Sequence, residues 1–319
     1  MYRIGVDLGG TNIAIGIVDS DFRIVAKGST PTLSGRDGRE IVDDIVALCR
    51  QLVAEVGISV GDVVSLGVAS PGVSDDALGE VVYANNLKFR HFPMLPLLRE
   101  QLGIREMHIA NDANAAALGE AIAGAAKGSR SSVMITLGTG VGGGIIADGK
   151  IFTGFNCAAG ELGHIVIETN GVPCSCGRRG CWEAYSSATA LIRMTKEKLE
   201  TCRREGRPTV IERLVAEYGK ISGRTAFDAK RLGDAAADEV ISVYVKYLAV
   251  GIANVINTFQ PEILSIGGGI SNEGDYLLNL LIPEVQKGIY AYGLIPSTDI
   301  RIAALRSDAG IIGAAAIGV

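Results

Sequence analysis

One pattern occurs twice in this chain and limits the folds open to it. Residues 2–8, YRIGVDL, and 13–18, IAIGIV, are apolar runs of strand character joined by the glycine-rich GGTN. The polar turn DSDFR and a third run, IVAKGST, follow. From residue 131 the order restarts: SSVMITLGTGVGGGIIADGKIFTG is again strand, glycine loop, strand, polar turn, strand. Helical patterning follows each copy. A β-rich unit present twice, each time with helices behind it, points to a duplicated α/β fold.

The intervening segments fill in the plan. EIVDDIVALCRQLVAEV (40–56) has apolar residues at helical spacing, and VVSLGVASPG is a strand ending in a Ser-Pro-Gly turn. MHIANDANAAALGEAI reads as a strand (107–110), a short polar turn and an alanine-rich helix. Residues 193–234 mix both signs of charge and read as solvated surface helices. Residues 238–259 form a long, mostly apolar helix, EILSIGGGI a buried strand running into glycines, and SDAGIIGAAAIGV a small-residue helix suited to close packing. The expected division is an N-terminal lobe of residues 1–112, completed by the C-terminal helix at about 305–319, and a C-terminal lobe of 113–304.

A length of 319 residues suits two domains, and a formal charge of −5 argues against a broad nucleic-acid footprint. No apolar run of membrane-spanning length is evident, and the chain opens on a strand without a signal-peptide pattern, so a cytoplasmic setting with reduced thiols is expected. Neither nucleic acid nor a membrane is expected as a partner.

Three glycine loops each follow a strand, and backbone N–H groups in such loops can cradle phosphate. They hold Gly9, Gly10, Thr11 and Asn12; Gly138, Thr139 and Gly140; and Gly268 and Gly269. Each alone could be a plain hairpin turn. No Gly-Lys-Ser/Thr follows, and strands rather than helices follow the first two, so neither a P-loop nor a dinucleotide fold fits. Asp7, four residues before Thr11, could hold Mg²⁺ beside a phosphate. Asn111 and Asp112 stand where a strand meets a helix. A carboxylate there can be a general base or merely an N-cap.

NGVPCSCGRRGCWE (170–183) concentrates three of the six cysteines. Cys174, Cys176 and Cys181, with His164 from the preceding GELGH, make one Cys₃His set, a closed shell suited to structural zinc. A disulfide cluster and a metal-free turn are the alternatives. Glu161 and Glu183 flank the set and are either ligand-facing carboxylates or surface acids. Cys49 lies on an apolar helix face and reads as core. Cys157 and Cys202 carry no signal, and His91 and His108 read as surface or turn residues.

DLGGTN, LGTGVGGG and IGGG resemble the two phosphate loops and the adenosine loop of the actin, heat-shock ATPase and hexokinase superfamily, which implies a two-lobed, duplicated ribonuclease H-like fold with a central cleft. GxELGH followed by CxCGxxGCxE resembles the ROK family of sugar kinases and sugar-responsive repressors, along nearly the whole chain. The resemblance implies ATP, Mg²⁺ and structural zinc, and phosphorylation of a hexose at its 6-hydroxyl. Glucose is the leading sugar; N-acetylmannosamine, N-acetylglucosamine, mannose and fructose are alternatives. It also implies Asp112 as general base, with Gly72, Asn86, Asn111, Glu161, His164 and Glu183 on the sugar side. His164 would serve zinc and sugar through different ring nitrogens. Family members are commonly homodimers or homotetramers. The repressors carry a DNA-binding segment ahead of this core, whereas here the DLGGTN strand begins at residue 2, so that reading is disfavoured. Where many family glucokinases carry a tryptophan after Asn-Leu, this chain has Phe89, which leaves the exact sugar open.

Overall fold

The computed structural model describes residues 1–319. Strands β1 (Tyr2–Leu8), β2 (Asn12–Val18) and β3 (Ile24–Pro31) form the opening meander. Helix α1 (Gly38–Val56) and strand β4 (Val63–Ser70) follow, then a small meander of β5 (Val73–Asp75), β6 (Glu80–Ala84) and β7 (Phe89–Phe92). Helix α2 (Met94–Leu102), strand β8 (Glu106–Asn111) and helix α3 (Asp112–Ala123) close the first repeat. The second repeat has β9 (Ser132–Leu137), β10 (Val141–Ala147) and β11 (Lys150–Ile151). It continues with helices α4 (Glu183–Ser186), α5 (Ala188–Glu205), α6 (Val210–Tyr218), α7 (Thr225–Arg231) and α8 (Ala235–Phe259). It ends with β12 (Ile263–Gly267), α9 (Asp275–Gln286), β13 (Asp299–Ile302) and α10 (Ala309–Ala316).

The two main sheets have the orders β3-β2-β1-β4-β8 and β11-β10-β9-β12-β13. Strand for strand these are one topology: a three-stranded meander extended by two crossover strands. In the first sheet β1 runs antiparallel to β2 and parallel to β4, and β4 runs parallel to β8; in the second, β12 and β13 are parallel. The duplicated ribonuclease H-like plan read from the repeated motif is therefore present. The local reasons are ordinary. Asp37 caps α1 by accepting from Arg39 N, Gly57 ends it in the left-handed region, and Ile41, Ile45, Leu48 and Leu52 bury one stripe.

By compactness the chain divides into a first unit of Met1–Met134, Gly144–Gly160 and Ala303–Val319, and a second of Ile135–Gly143 and Glu161–Ile302. The C-terminal helix belongs to the first unit, but the expected boundary at residue 112 does not match: α3 and residues 144–160 also belong there. The reason is steric. Helices α3 and α10 meet through glycines, and a Cβ on Gly119 or Gly313 would stand 2.4 Å from Ala309 O or 1.7 Å from Ala115 O. Glu120 of α3 is fully buried and accepts from Ala125 N (2.6 Å), Ala304 N (3.0 Å) and Leu305 N (2.7 Å), which ties α3 to the chain entering α10. The same helix lies on the first sheet where Gly5 and Gly67 present no side chain.

In the second unit, residues 193–234 form α5 to α7 with a small core of Leu199, Cys202, Ile211, Leu214 and Ala229. The expected charged surface therefore covers an apolar seam, and Cys202 belongs to it. Helix α8 also corrects the sequence reading: by length and hydropathy it reaches membrane-spanning range. Its apolar face, including Tyr244, Leu248 and Ile252, is buried inside the unit against α5, α7 and α9.

Gly67→Ala would drive a Cβ to 1.8 Å from Ala314 O, a backbone atom that cannot rotate away. It should destabilise the chain by about 2–4 kcal/mol in thermal unfolding. Gly35→Ala, in open space, should stay within about 0.5 kcal/mol of the parent.

Candidate active site and metal centre

In the first unit, Asp7 stands at the end of β1 and Asn111 at the end of β8, the carboxyl ends of parallel strands where open α/β sheets bind ligands. The loop after β1 is held from within: Gly9 N donates to Asn12 O (2.9 Å), Thr32 N to Thr11 O (2.8 Å) and Thr32 Oγ1 to Gly9 O (2.7 Å). Thr11 and Asn12 are exposed at its tip, and Gly10 lies against the Asn86 side chain. The cap question falls to Asn111. Its Oδ1 accepts from Ala113 N (2.9 Å) and Asn114 N (3.2 Å), while its Nδ2 donates to Gly72 O (2.9 Å). That leaves one amide hydrogen for a ligand. Gly72 must be glycine, since its φ is +84° and a Cβ would meet Tyr83 O at 2.0 Å. Gly72 and Asn111 thus form one cluster, and Asn86 sits beside the first glycine loop.

Asp112 is the first residue of α3, and its Oδ1 accepts from Ala113 N at 2.8 Å. Burial and, after it, the Asp112 charge push the Asp7 carboxyl up to about 6, with Lys27 opposing both. A largely buried carboxylate that also feels the charge of a second acid suits a cation. Lys27 is paired with Asp308, just before α10. Gly310 opens the first turn of that helix, where a Cβ would stand 2.5 Å from Asp7 Oδ2.

In the second unit, His164, Cys174, Cys176 and Cys181 bring their ligand atoms within 4.8 Å of one another. His164 Nδ1 is 3.7 Å from Cys174 Sγ, and Cys176 Sγ is 3.6 Å from Cys181 Sγ. A tetrahedron with metal–sulfur bonds of about 2.3 Å has edges of about 3.8 Å, so the donor set fits zinc. All six cysteines are free thiols. Hydrogen bonds from Arg178 bring the Cys176 thiol down to about 6, whereas burial pushes Cys181 up to about 12. A metal takes both as thiolates.

The knot is anchored from behind. Trp182 is fully buried; its N donates to Ile165 O (2.8 Å) and its Nε1 to Tyr247 O (3.2 Å), in a space that Gly251 leaves open. Tyr185 OH accepts from Val172 N at 2.7 Å. Gly177 (φ +86°) and Gly180 (φ +77°) make the turns that bring Cys181 back. With Nδ1 turned to the cysteines, the other ring nitrogen of His164 is available to a hydroxyl. Glu161 is exposed, three residues before it.

The second glycine loop lies on the residues after the knot. Glu183 Oε2 accepts from Val141 N (3.1 Å), and Gly140 leaves the room that this carboxylate fills. Ala188 N donates to Gly138 O (2.8 Å) and Thr189 Oγ1 to Thr139 O (2.7 Å). In the third loop, Gly268 (φ +83°) lies against the backbone of Leu137, and Gly269 faces open space.

A model of the ROK family matches residues 3–318. The chain belongs to the ROK family. It is 36% identical over 316 residues to a glucokinase of Halalkalibacterium halodurans, covering 98% of this chain and 93% of that one. It is 37% identical over 315 residues to a glucokinase of Thermotoga maritima, covering 98% and 96%. A solved ROK family glucokinase from Streptomyces griseus, in complex with glucose and AMPPNP, is 34% identical with a TM-score of 0.79, covering 99% and 98%.

Within this ROK chain, Phe89 is not at the ligand face. It is buried in the first unit's core and stacks on Phe92 at 4.4 Å, so it does not stand in for an exposed tryptophan. Cys49 is core, as read from its helix face, and burial raises its thiol to about 12. His91 and His108 pair with Glu80 and with Asp76 and Glu106, outside the clusters above. The sequence reading missed Thr32, Tyr185 and Ser175. Thr32 supports a loop some twenty positions away, and nothing local marks it. Tyr185, two residues after Glu183, was findable by asking what anchors the knot.

The purified chain should carry about one zinc per molecule by elemental analysis, and Cys176→Ser should lose most of it. A metal-free parent chain of unchanged thermal stability would show that the four ligands hold nothing.

Proposed function

We propose that this ROK chain transfers the γ-phosphoryl group of ATP to the 6-hydroxyl of glucose. The observation that carries this reading is the pair Asp7 and Asp112 at the carboxyl ends of parallel strands, charged toward each other, beside an exposed glycine loop with a threonine at its tip. The end-to-end similarity to glucokinases, one of them solved with glucose and AMPPNP, supports both the sugar and the donor.

The roles follow from the groups. Asp112 accepts the proton of the 6-hydroxyl as that oxygen attacks the γ-phosphorus; the bond from phosphorus to the β–γ bridging oxygen breaks, and ADP leaves. The transition state is loose, so alignment and charge placement matter more than a strong base. Asn111 offers its remaining amide hydrogen to the sugar, with Asn86 and Gly72 O near it. Glu161, His164 and Glu183 accept or donate to the other hydroxyls, and such charged acceptors discriminate against analogues lacking them. Gly9 to Asn12, Gly138 to Gly140, and Gly268 and Gly269 take the phosphates and the adenosine. Asp7 would hold Mg²⁺, which neutralises charge on the transferring phosphoryl group when bound. His164, Cys174, Cys176 and Cys181 would hold zinc, which would fix the walls and take no part in bond making.

Asp112→Asn should lower kcat by roughly 10²-fold or more while glucose still binds. Near-parental turnover would remove Asp112 from the base role. Side-by-side kcat/KM values for glucose, mannose, fructose, N-acetylglucosamine and N-acetylmannosamine should rank glucose first; another sugar far ahead would reassign the substrate within the family.

The raised Asp7 carboxyl gives a pH test. Protonated Asp7 is a poor cation ligand, so affinity for Mg·ADP should fall as pH drops through about 6 and level off above it. Asp7→Asn should be weak throughout. For the unliganded chain the sign is opposite. The native state binds this proton more tightly than the unfolded chain, so its contribution to stability is present below pH 3.8 and is lost as pH rises toward about 6.

A further inference from the structure

We infer that Glu183 is a positioning residue that ties the Cys/His knot to the second glycine loop, so that the knot governs affinity for nucleotide phosphates as well as for sugar. The inference rests on the kinase reading, which takes that loop as a phosphate loop.

The carboxylate of Glu183 is engaged at both ends. Oε2 accepts from Val141 N at 3.1 Å, in the loop. Oε1 accepts from Ser175 Oγ at 3.1 Å and faces Cys174 Sγ at 3.8 Å, in the knot. The fit on the loop side is tight, because a Cβ on Gly140 would stand 2.2 Å from Oε2. A second strut reaches the same residue. Gly163, next to His164, lies so close to Val141 that a Cβ would be 2.1 Å from Val141 O. The two chain segments that supply metal ligands, 161–164 and 174–183, therefore both bear on Val141, one at its N–H and one at its carbonyl.

The rest of the loop follows. Gly138 O and Thr139 O accept from Ala188 N and Thr189 Oγ1, at the start of the helix directly after Glu183. A knot that opens would release Glu183 and Gly163 from Val141 and let this support shift. Loop N–H groups cradle phosphate only when their directions are fixed beforehand, so a loosened loop binds more weakly. The sugar hydroxyls assigned to Glu183 can engage Oε1 without disturbing the bond from Val141 N to Oε2, so one carboxylate can serve both ligands.

The test is calorimetric titration with AMPPNP and Mg²⁺ in the absence of sugar. Glu183→Ala should bind roughly tenfold more weakly than the parent, as expected for one lost charge-assisted hydrogen bond. Glu183→Gln keeps an amide oxygen to accept from Val141 N. It should hold AMPPNP within about threefold of the parent while losing affinity for glucose, a split that general structural damage would not produce. The parent chain stripped of metal by a chelator should show the same roughly tenfold loss, restored by added Zn²⁺, and carries the test if the alanine variant does not fold. Parental AMPPNP affinity in the alanine variant or in the stripped chain would overturn the inference. A parent chain that binds no AMPPNP at all would overturn the kinase reading itself.

Discussion

Backbone-to-backbone contact at glycine is the constraint on which the first unit depends. Helix α10 lies on the sheet at Gly5 and Gly67 and against α3 at Gly119 and Gly313, with no side chains between. At each of these contacts even a methyl group would overlap a main-chain atom. The consequence is functional as well as structural. Only a helix seated this closely brings Gly310 against Asp7, and Gly310 again must lack a side chain for the carboxylate to fit. Dispersion across such a contact is close to maximal, and the seam has few ways to relax, so the site inherits its rigidity. Glu120 adds a polar lock at the entry to α10, where three backbone N–H groups converge on a carboxylate removed from water.

The second unit solves a similar problem with different material. A segment rich in turns, from Gly160 to Cys181, has little apolar surface of its own with which to hold a fixed shape. Four ligand atoms within 4.8 Å of one another would supply that shape on sharing a metal, and Trp182 and Tyr185 fix the segment to Tyr247 of α8 from behind. The chemistry of the donors fits the purpose. Hydrogen bonds from Arg178 bias the Cys176 thiol toward thiolate, whereas burial biases Cys181 against it, and a metal would take both as thiolates.

What the sequence disclosed depended on how local each cause was. The duplicated sheet was legible because two strand–glycine–strand stretches carry their own periodicity, and the Cys/His cluster because cysteines at close spacing are rare by chance. Asn111 and Asp112 were correctly placed at a strand–helix junction, yet spacing alone did not say which one caps the helix. The structure gives the cap to Asn111, since its Oδ1 accepts from both Ala113 N and Asn114 N, and leaves Asp112 as the first helical residue. The unit boundary was misjudged because helix α3 and helix α10 are nearly two hundred positions apart, and no pattern in either reveals the other. The apolar character of α8 was visible, but burial of that face depends on α5, α7 and α9, of which α5 and α7 alone read as charged surface.

The two carboxylates of the first unit also bear on the order of events. Burial first, and the Asp112 charge second, push the Asp7 carboxyl up to about 6. A carboxylate in that position binds a cation well because the cation removes a penalty already present. Cation binding and loss of the Asp7 proton are thus linked within one unit, before any larger motion is considered.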